Sequence, residues 1–428
     1  MTLDSTSVSR SQPDATVTLA GRERWIRSAL WFVGICSFGL TVGYAIAGSW
    51  HGHQIDIDVY RMGGRAVLGS HLYIVRLPQD GLRFTYPSFS ALLFAPLGLL
   101  SFTTVQVIWA VGNVMALLGL LFSTIKALRP DLANSTILQW SLVSSAPALW
   151  LQPVRLTFNF GQINVILVLL ILVDLTCELR IGPRRIPRGV LIGVAAAVKL
   201  TPLVFVPFLL LTNRVRAGWT ALGAFVGCNL VVAIVAPRAT WQYWTKYSTE
   251  LGRIGNADYT SNQNLKAFLL RAHHGMVPGS LILTTSLLVA VAGIALAVVA
   301  YRVSSPFLAM LVCAVTGLLV SPVTWSHHLV WVVPVIGWFL LGFDRPRFGW
   351  VWAILTAILF WTAPIWRIPY GNNLELSESP LHILLGNSYF FAMMGFLIGI
   401  AALLIARTRT VGANRQEASA PDQPAVAT

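Results

Sequence analysis

Apolar runs of helical length recur along this chain from about residue 27 to residue 406, with short polar connections between them. A run of about 20 apolar residues is long enough to cross the hydrocarbon core of a bilayer as a helix. A first span is predicted from roughly Arg27 to Ser49. Nine more are predicted near residues 103–125, 136–151, 161–178, 216–236, 279–301, 306–321, 327–342, 348–364 and 387–406.

Two further apolar stretches do not fit one simple crossing. Residues 189–211 contain Lys199 and Pro202 in the run Lys-Leu-Thr-Pro. Proline breaks the helical hydrogen-bond ladder and lysine is costly in hydrocarbon, so two short half-helices are predicted there. The stretch from Tyr86 to Leu100 contains Pro96 and is counted as not crossing. The alternatives are a full span, a broken span and a re-entrant one. The pattern predicts an all-α, polytopic membrane protein with about twelve transmembrane helices.

The basic residues lie in the connections and tails rather than on one helix face, which argues against nucleic-acid binding. Six basic connections are found at residues 126–129, 180–188, 214–216, 302, 345–347 and 407–409. Because cytoplasmic loops are enriched in lysine and arginine, these connections and both termini are predicted to be cytoplasmic. The remaining connections then face outward, as expected of a multi-pass plasma-membrane protein.

The composition supports this class. The chain is 56% hydrophobic and 11% charged, against about 25% charged residues in an average soluble domain. Its net charge of +14 is interpreted as a topology signal and as contact with anionic membrane lipids. The four cysteines are scattered singly without metal or disulfide spacing.

One transmembrane domain is predicted over residues 22–407, between disordered cytoplasmic tails at 1–21 and 408–428 that are too polar to bury a core. Its first outer loop spans residues 50–86 and its second large outer loop spans 238–278. Within the first loop, Val59 to Leu68 has the period of a short interfacial helix, with Arg61 and Arg65 on its polar side.

Two aspartates, Asp56 and Asp58, stand at the start of this first outer loop, in a chain with only 16 acidic residues. One of them is predicted to act as a catalytic base, with Asp58 favoured over Asp56. If the alternation with Ile55 and Ile57 is strand-like, both carboxylates share a face. The alternative is that Asp58 only caps the following helix.

Other polar residues fall on the same side. Lys199 is predicted to bind a phosphate as a point charge. The alternative is that its side chain only extends to the membrane interface. His327 and His328 are predicted to bind phosphate or sugar rather than a metal, because adjacent helical residues point about 100° apart. Gln162 and Asn164 either face a ligand or bond between helices.

An ordered set of motifs resembles the GT-C polytopic glycosyltransferases, specifically the actinobacterial polyprenol-phosphate-mannose-dependent mannosyltransferases. The motifs cover residues 30 to 405 in the family's order. They are Asp56-Ile57-Asp58-Val59-Tyr60, Tyr86-Pro87, Gly161-Gln162-Ile163-Asn164, Val198-Lys199-Leu200-Thr201-Pro202, Asn262-Gln263-Asn264-Leu265 and Ser321-Pro322-Val323-Thr324-Trp325-Ser326-His327-His328.

The resemblance implies an inverting enzyme that moves mannose from polyprenyl-phosphate-mannose to a glycolipid acceptor on the outer, periplasmic face. Within the family, the chain looks most similar to the enzymes of phosphatidylinositol mannoside synthesis. It implies that Lys199, His327 and His328 face the donor phosphate. The residues expected to bind the substrates are Tyr60, Gln162, Asn164, Asn262, Gln263, Asn264 and Trp325.

Three alternatives are compatible with these residues. The same chemistry could act on lipomannan or lipoarabinomannan, or could transfer another sugar. A lipid-linked sugar transporter or flippase would exploit the broken helix at Lys199, but such proteins often carry internal repeats and none is evident. No cofactor and no metal site are predicted, although the metal requirement stays open.

Overall fold

The computed structural model describes residues 15–51, 54–377 and 379–419 of the chain. These residues are overwhelmingly helical, which confirms the predicted all-α class. The α-helices are α1 Ala15–His51, α2 Ile55–Ala66, α3 Ser88–Leu93, α4 Ala95–Leu99, α5 Phe102–Leu128, α6 Asn134–Trp150, α7 Gln152–Phe160, α8 Asn164–Thr176, α9 Val190–Val198, α10 Phe205–Leu211, α11 Val215–Val235, α12 Pro237–Gln242, α13 Leu265–Ala272, α14 Gly279–Val303, α15 Pro306–Val320, α16 Val332–Leu341, α17 Gly349–Thr362, α18 Pro380–Gly386 and α19 Ser388–Ser419.

Short elements join these helices. A two-residue antiparallel hairpin pairs β1, Arg180–Ile181, with β2, Arg184–Arg185, in the register Arg180 to Arg185. A π-helical turn covers Tyr243–Tyr247. Five 3-10 turns cover Thr201–Val204, Leu251–Arg253, Ser326–Trp331, Pro364–Trp366 and Leu374–Leu376.

The long helices fit a multi-pass membrane protein. Among the described residues, six helical segments are long and apolar enough to cross a bilayer on their own, and the bent pair α7 and α8 is a possible seventh. Shorter apolar helices cover Thr201–Leu211, Pro306–Val320 and Ser326–Leu341. Since several predicted spans are such short helices, the number of about twelve crossings stays a prediction. The six segments are Arg24–Gly48, Phe102–Leu128, Val215–Val235, Gly279–Val303, Gly349–Trp366 and Ser388–Thr408.

Both unusual apolar stretches are interrupted where the sequence indicates. Helix α9 ends at Val198, Lys199 has an extended backbone (φ −149°, ψ 125°), and a 3-10 turn then leads into α10. The predicted break at Lys199 is therefore confirmed. The stretch from Tyr86 to Leu100 forms the short helices α3 and α4, neither of which is long enough to span a bilayer.

The first outer loop differs from its predicted form at the two aspartates. Helix α2 begins at Ile55, so Asp56 and Asp58 both lie in its first turn and Gln54 occupies the N-cap position. The expectation that Asp58 caps the helix is wrong. So is the strand-like alternation, because side chains two residues apart on a helix point about 200° apart. The negative charges of Asp56 and Asp58 stabilise the N-terminus of a helix. This effect outweighs the β-strand propensity of the neighbouring isoleucines.

Helix α2 packs closely onto the short helices α3 and α4. A Cβ atom added to Gly64 would lie 2.4 Å from the main-chain oxygen of Phe94, and one added to Gly63 would lie 2.3 Å from the Phe84 ring. Only glycine permits this approach. The C-terminal half of α2 is thereby held against the segment that contains α3 and α4.

The membrane environment explains which helices are buried. Helix α15 is buried from Phe307 to Leu319 and forms the centre of the bundle, as expected of a helix that is apolar on all sides. By contrast, α11 and α14 expose large apolar side chains such as Leu230, Ile234 and Val291. These helices face the lipid.

Helices also enter the stretches that were predicted to be tails. Residues 15–21 belong to α1, and residues 408–419 belong to α19. Residues 1–14 and 420–428, where the rest of both predicted tails falls, lie outside the described part of the chain.

A buried arginine ties the second large outer loop to the bundle. Arg271 in α13 is fully buried, and its Nε and Nη2 atoms donate to the Asn387 Oδ1 atom at 3.0 and 2.5 Å. The guanidinium also donates to the main-chain oxygens of Asp258, Tyr259 and Asn262 at 2.9–3.0 Å. One side chain therefore fixes the loop 258–262 against the start of α19.

We predict that Arg271→Leu lowers the thermal unfolding temperature of the detergent-solubilised protein. The change leaves several buried acceptors without donors, each at a cost of about 1–3 kcal/mol. Arg271→Lys should recover only part of the loss, because an ammonium cannot reproduce the planar fork. Lys266→Leu in the same helix is the control. An Arg271→Leu protein as stable as this control would contradict the assignment.

Candidate active site

A cavity of about 680 Å³ opens where α2, the α7–α8 bend, the break after α9 and the outer loops meet. Every one of these elements ends or breaks at the cavity, so their polar ends converge on it. Six of the residues singled out from the sequence line it. They are Asp56, Gln162, Lys199, Trp325, His327 and His328.

The α7–α8 bend places Gln162 beside α2. The chain bends by 120° between the two helices. Gly161 caps α7 with a left-handed backbone (φ +70°). A Cβ atom at Gly161 would lie 2.4 Å from Cγ1 of Ile57 in α2. Glycine is therefore needed both for the conformation and for the contact.

Asp56 is the aspartate that faces the cavity. Burial raises the pKa of its carboxyl to about 6, against the opposing effects of the Gln162 side chain and the Lys199 ammonium. The Gln162 Oε1 atom accepts hydrogen bonds from the hydroxyls of Tyr60 at 3.1 Å and Tyr86 at 3.2 Å. These bonds fix the glutamine amide, which in turn adjoins the carboxylate.

Lys199 is the centre of a second polar group in the same cavity. Its Nζ atom donates to Asn164 Oδ1 at 3.1 Å and lies 2.8 Å from His328 Nε2. The ammonium also lies 5.7 Å from the centre of the Tyr86 ring, within the range of a cation–π contact. These two contacts fix the position of the ammonium, and the side chain also lines the cavity.

His327 adds further hydrogen-bonding capacity. Both of its ring nitrogens are buried without a hydrogen-bonding partner among the described residues. Its ring packs edge-on against Phe160 at 5.5 Å and against His328 at 4.8 Å. Because buried polar atoms are normally paired, this cavity-lining imidazole is suited to a polar ligand.

Asp58, the aspartate favoured by the sequence analysis, lies elsewhere. It is not among the residues lining the cavity, and its Oδ1 atom is 3.5 Å from Nη1 of Arg61 one turn later. Helical geometry explains the separation, since the two carboxylates point to different sides of α2.

The predicted substrate-binding residues divide into two groups. Gln162 and Trp325 line the cavity, whereas Tyr60 and Asn164 lie behind it and orient residues that do. Tyr60 is fully buried and holds Gln162, and Asn164 holds Lys199 and donates to the His327 main-chain oxygen at 3.0 Å.

The amides Asn262, Gln263 and Asn264 are fully buried and bonded to main-chain groups. Asn262 Oδ1 accepts from the Thr324 amide at 2.9 Å, and Gln263 Nε2 donates to the Gly386 oxygen at 2.7 Å. Asn264 caps α13, with its Oδ1 atom accepting from the Ala267 amide at 2.8 Å. These side chains are occupied in holding the outer loops, so they support the site rather than face a sugar.

Two cavity-lining arginines, Arg83 and Arg253, were not predicted as site residues. The Arg253 guanidinium lies 4.1 Å from the centre of the Tyr247 ring and donates to the Tyr73 main-chain oxygen. The sequence held only a weak signal for them, because other arginines such as Arg61, Arg76 and Arg238 also lie outside the six basic connections.

Aromatic side chains form another wall of the cavity. The Tyr259 ring centre lies 6.1 Å from that of Trp325 and 6.2 Å from that of Trp366. All three line the cavity and are partly exposed, which suits stacking against sugar rings.

Among the described residues, no three His, Cys, Asp or Glu side chains are grouped so that they could hold a metal ion. The residues available for chemistry in this cavity are the carboxylate of Asp56, the cation of Lys199 and the imidazoles of His327 and His328.

Comparison with known proteins identifies the family of the chain. The profile of glycosyltransferase family 87 matches residues 84–322. The chain belongs to this family. No solved structure matches it significantly.

Curated relatives of this family 87 glycosyltransferase extend the match over most of the chain. A polyprenol-phosphate-mannose-dependent α-(1-2)-phosphatidylinositol mannoside mannosyltransferase of Mycobacterium tuberculosis is 35% identical, over 89% of this chain and 92% of its own. The protein of the same name from Mycolicibacterium smegmatis is 34% identical, over 88% and 90%. An α-(1-2)-phosphatidylinositol pentamannoside mannosyltransferase of M. tuberculosis is 31% identical over 71% of each chain.

Proposed function

We propose that this family 87 enzyme transfers mannose from polyprenyl-phosphate-mannose to a phosphatidylinositol mannoside acceptor. The observation that carries the proposal is the pairing, in one cavity, of the Asp56 carboxylate with the Lys199 and His328 group. The relatives that are 34–35% identical are named for this reaction. The donor and the acceptor of this reaction are both lipids, which suits a cavity at the end of membrane helices.

Asp56 rather than Asp58 is the base in this proposal. A carboxyl with a pKa near 6 is largely ionised at neutral pH and still basic enough to accept a proton. It takes the proton from the acceptor hydroxyl while that oxygen forms a bond to the anomeric carbon. The bond from this carbon to the donor phosphate breaks in the same displacement, which inverts the configuration.

The leaving phosphate needs stabilisation of its charge rather than a proton. Lys199 supplies a positive charge, and the imidazoles of His327 and His328 supply hydrogen-bond donors. The aromatic wall of Tyr259, Trp325 and Trp366 and the side chain of Gln162 then face the sugars. Arg83 and Arg253 add positive charge to the outer part of the cavity.

A transporter of lipid-linked sugars is the less favoured function. It gains no support from the relatives, which are named as mannosyltransferases, and it requires no base such as Asp56. Transfer to lipomannan, lipoarabinomannan or with another sugar would use the same residues, and substrate assays separate these options.

We predict that Asp56→Asn lowers the turnover number for mannosyl transfer by about 10²–10⁴, the range typical of general-base catalysis. Donor binding should persist, because the amide keeps the shape of the side chain. Asp58→Asn is the matched control and should change turnover by no more than about fivefold, since a partly exposed ion pair contributes about 1 kcal/mol or less. A large loss in Asp58→Asn with an active Asp56→Asn would reverse the assignment.

We predict that kcat/KM falls about tenfold for each pH unit below a midpoint near pH 6, because the protonated Asp56 carboxyl cannot accept a proton. The pKa is raised, so the active, charged form is lost as the pH falls through this value. Asp58→Asn should keep the same midpoint. A rate that stays constant between about pH 5 and pH 7 would remove Asp56 from the role of base.

We also propose that the cavity faces the periplasm and that both termini are cytoplasmic. The support is that the six basic connections lie away from the cavity, as expected for cytoplasmic loops. In a cysteine-free background, an impermeant maleimide added to intact cells should label Gln79→Cys, next to the cavity side, and leave Arg184→Cys unlabelled. Labelling of Arg184→Cys but not of Gln79→Cys would show that the protein has the opposite orientation in the membrane.

A further inference from the structure

Asp174 is a buried carboxylate that does not belong to the active-site cavity. It lies near the C-terminal end of α8, whereas the cavity is at the N-terminal end of that helix. Only 4% of the residue is exposed. A carboxylate in an apolar helix is costly unless it is hydrogen-bonded or paired. Its oxygens therefore need partners, and these come from the next helix.

The partners of Asp174 are main-chain amides at the start of α9. The Gly189 amide donates to its Oδ1 atom at 2.6 Å, and the Ile192 amide donates to its Oδ2 atom at 2.9 Å. The first four amides of a helix have no acceptor within the helix itself. A negative charge at this end is also stabilised by the helix dipole. Asp174 therefore caps α9 from a neighbouring helix.

Close packing explains why the cap comes from α8. The N-cap position of α9 is Gly189, with a left-handed φ of +102°. A Cβ atom added there would lie 2.1 Å from the main-chain oxygen of Ala217 in α11, and one added to Gly193 would lie 2.3 Å from that of Ala221. Only glycine permits this approach, and glycine has no side chain to cap its own helix. Asp174 supplies the missing acceptor.

The other end of α9 leads directly to Lys199 in the active site. The Lys199 Nζ atom donates to Asn164 Oδ1 at 3.1 Å. Helices α8 and α9 are thus antiparallel and joined at both ends, by Asn164 and Lys199 at the cavity and by Asp174 and Gly189 at the far end. Residues 164 to 174 and residues 189 to 199 each cover about 15 Å at 1.5 Å per residue. Because these lengths match, the far contact determines how far Lys199 extends into the cavity.

We propose that Asp174 is a positioning residue for mannosyl transfer. It fixes α9 along the helix axis and thereby places the Lys199 ammonium beside the donor phosphate. The inference rests on the proposed function, since it needs a leaving phosphate at Lys199. Asp174 itself touches no substrate, because it does not line the cavity. A displacement of about 1 Å at a reacting group, caused by a distant substitution, can lower a rate by about 10².

The first experiment removes the charge of Asp174 and keeps the size of the side chain. Asp174→Asn should lower kcat/KM for the donor by about 10- to 10²-fold, because the amide offers one acceptor where the carboxylate offers two. The KM for the acceptor should not change, since Lys199 is assigned to the donor phosphate alone. Mannosyl transfer by the purified protein, with each substrate varied in turn, measures both quantities.

The second experiment tests whether Asp174 acts through Lys199. In a Lys199→Gln background, adding Asp174→Asn should lower kcat/KM for the donor by less than about twofold, because residues that act as one unit have non-additive effects. The physical reason is that no ammonium is left to be displaced. A residue that only stabilises the fold would cause the same fractional loss in both backgrounds.

Asp344→Asn is the matched control. The Asp344 carboxylate is partly buried and accepts hydrogen bonds from Trp338 Nε1 at 2.6 Å and from the hydroxyls of Ser304 at 2.7 Å and Ser305 at 2.5 Å. It does not line the active-site cavity. Both substitutions should lower the thermal unfolding temperature, but only Asp174→Asn should lower kcat/KM for the donor.

Three outcomes would overturn the inference. They are an unchanged donor kcat/KM in Asp174→Asn, an equal loss with and without Lys199, and an equal loss in Asp344→Asn. If Asp174→Asn does not fold, Asp174→Glu is held to the same criteria. It keeps both acceptor oxygens but is one methylene group longer, so its loss should be smaller and should also vanish in Lys199→Gln. Failure of the proposed function looks different, because the unmodified enzyme would then transfer no mannose.

Discussion

The structure depends on a lysine ammonium held at a break in an apolar helix. A charge in such a place is unfavourable unless it is paired and hydrogen-bonded. Lys199 meets that requirement through Asn164, His328 and the nearby charge of Asp56. Because these partners come from α8, from the 3-10 turn after α15 and from α2, one partly buried cation connects four parts of the chain.

The cavity brings together two groups of opposite charge, the Asp56 carboxylate and the Lys199 ammonium, which are close enough to interact electrostatically. The side formed by α2 offers a carboxylate whose basicity is increased by burial, with Gln162 and two tyrosine hydroxyls arranged behind it. The other side offers a cation and two imidazoles. In the proposed reaction the carboxylate accepts the proton and the cation stabilises the leaving phosphate, while the loop held by Arg271 contributes Tyr259 to the aromatic lining of the same cavity.

The membrane accounts for the remaining features. Helices α11 and α14 expose large apolar side chains, as expected of surfaces that face lipid, whereas an apolar cleft along α19 is recessed between helices. A polar cavity is thus formed at one end of a bundle whose outer surface is apolar.

The sequence by itself determined the membrane class, the positions of most long helices, the break at Lys199 and the polar residues of the site. These follow from length, hydropathy and charge, which are local properties. It could not decide between Asp56 and Asp58, because that choice depends on where α2 begins and which side packs on Phe84 and Phe94. Nor could it separate Gln162, which faces the cavity, from Asn262, Gln263 and Asn264, which bond to the main chain. Residue type is the same in both cases, and only tertiary contacts decide which amides and which carboxylate are left facing a substrate.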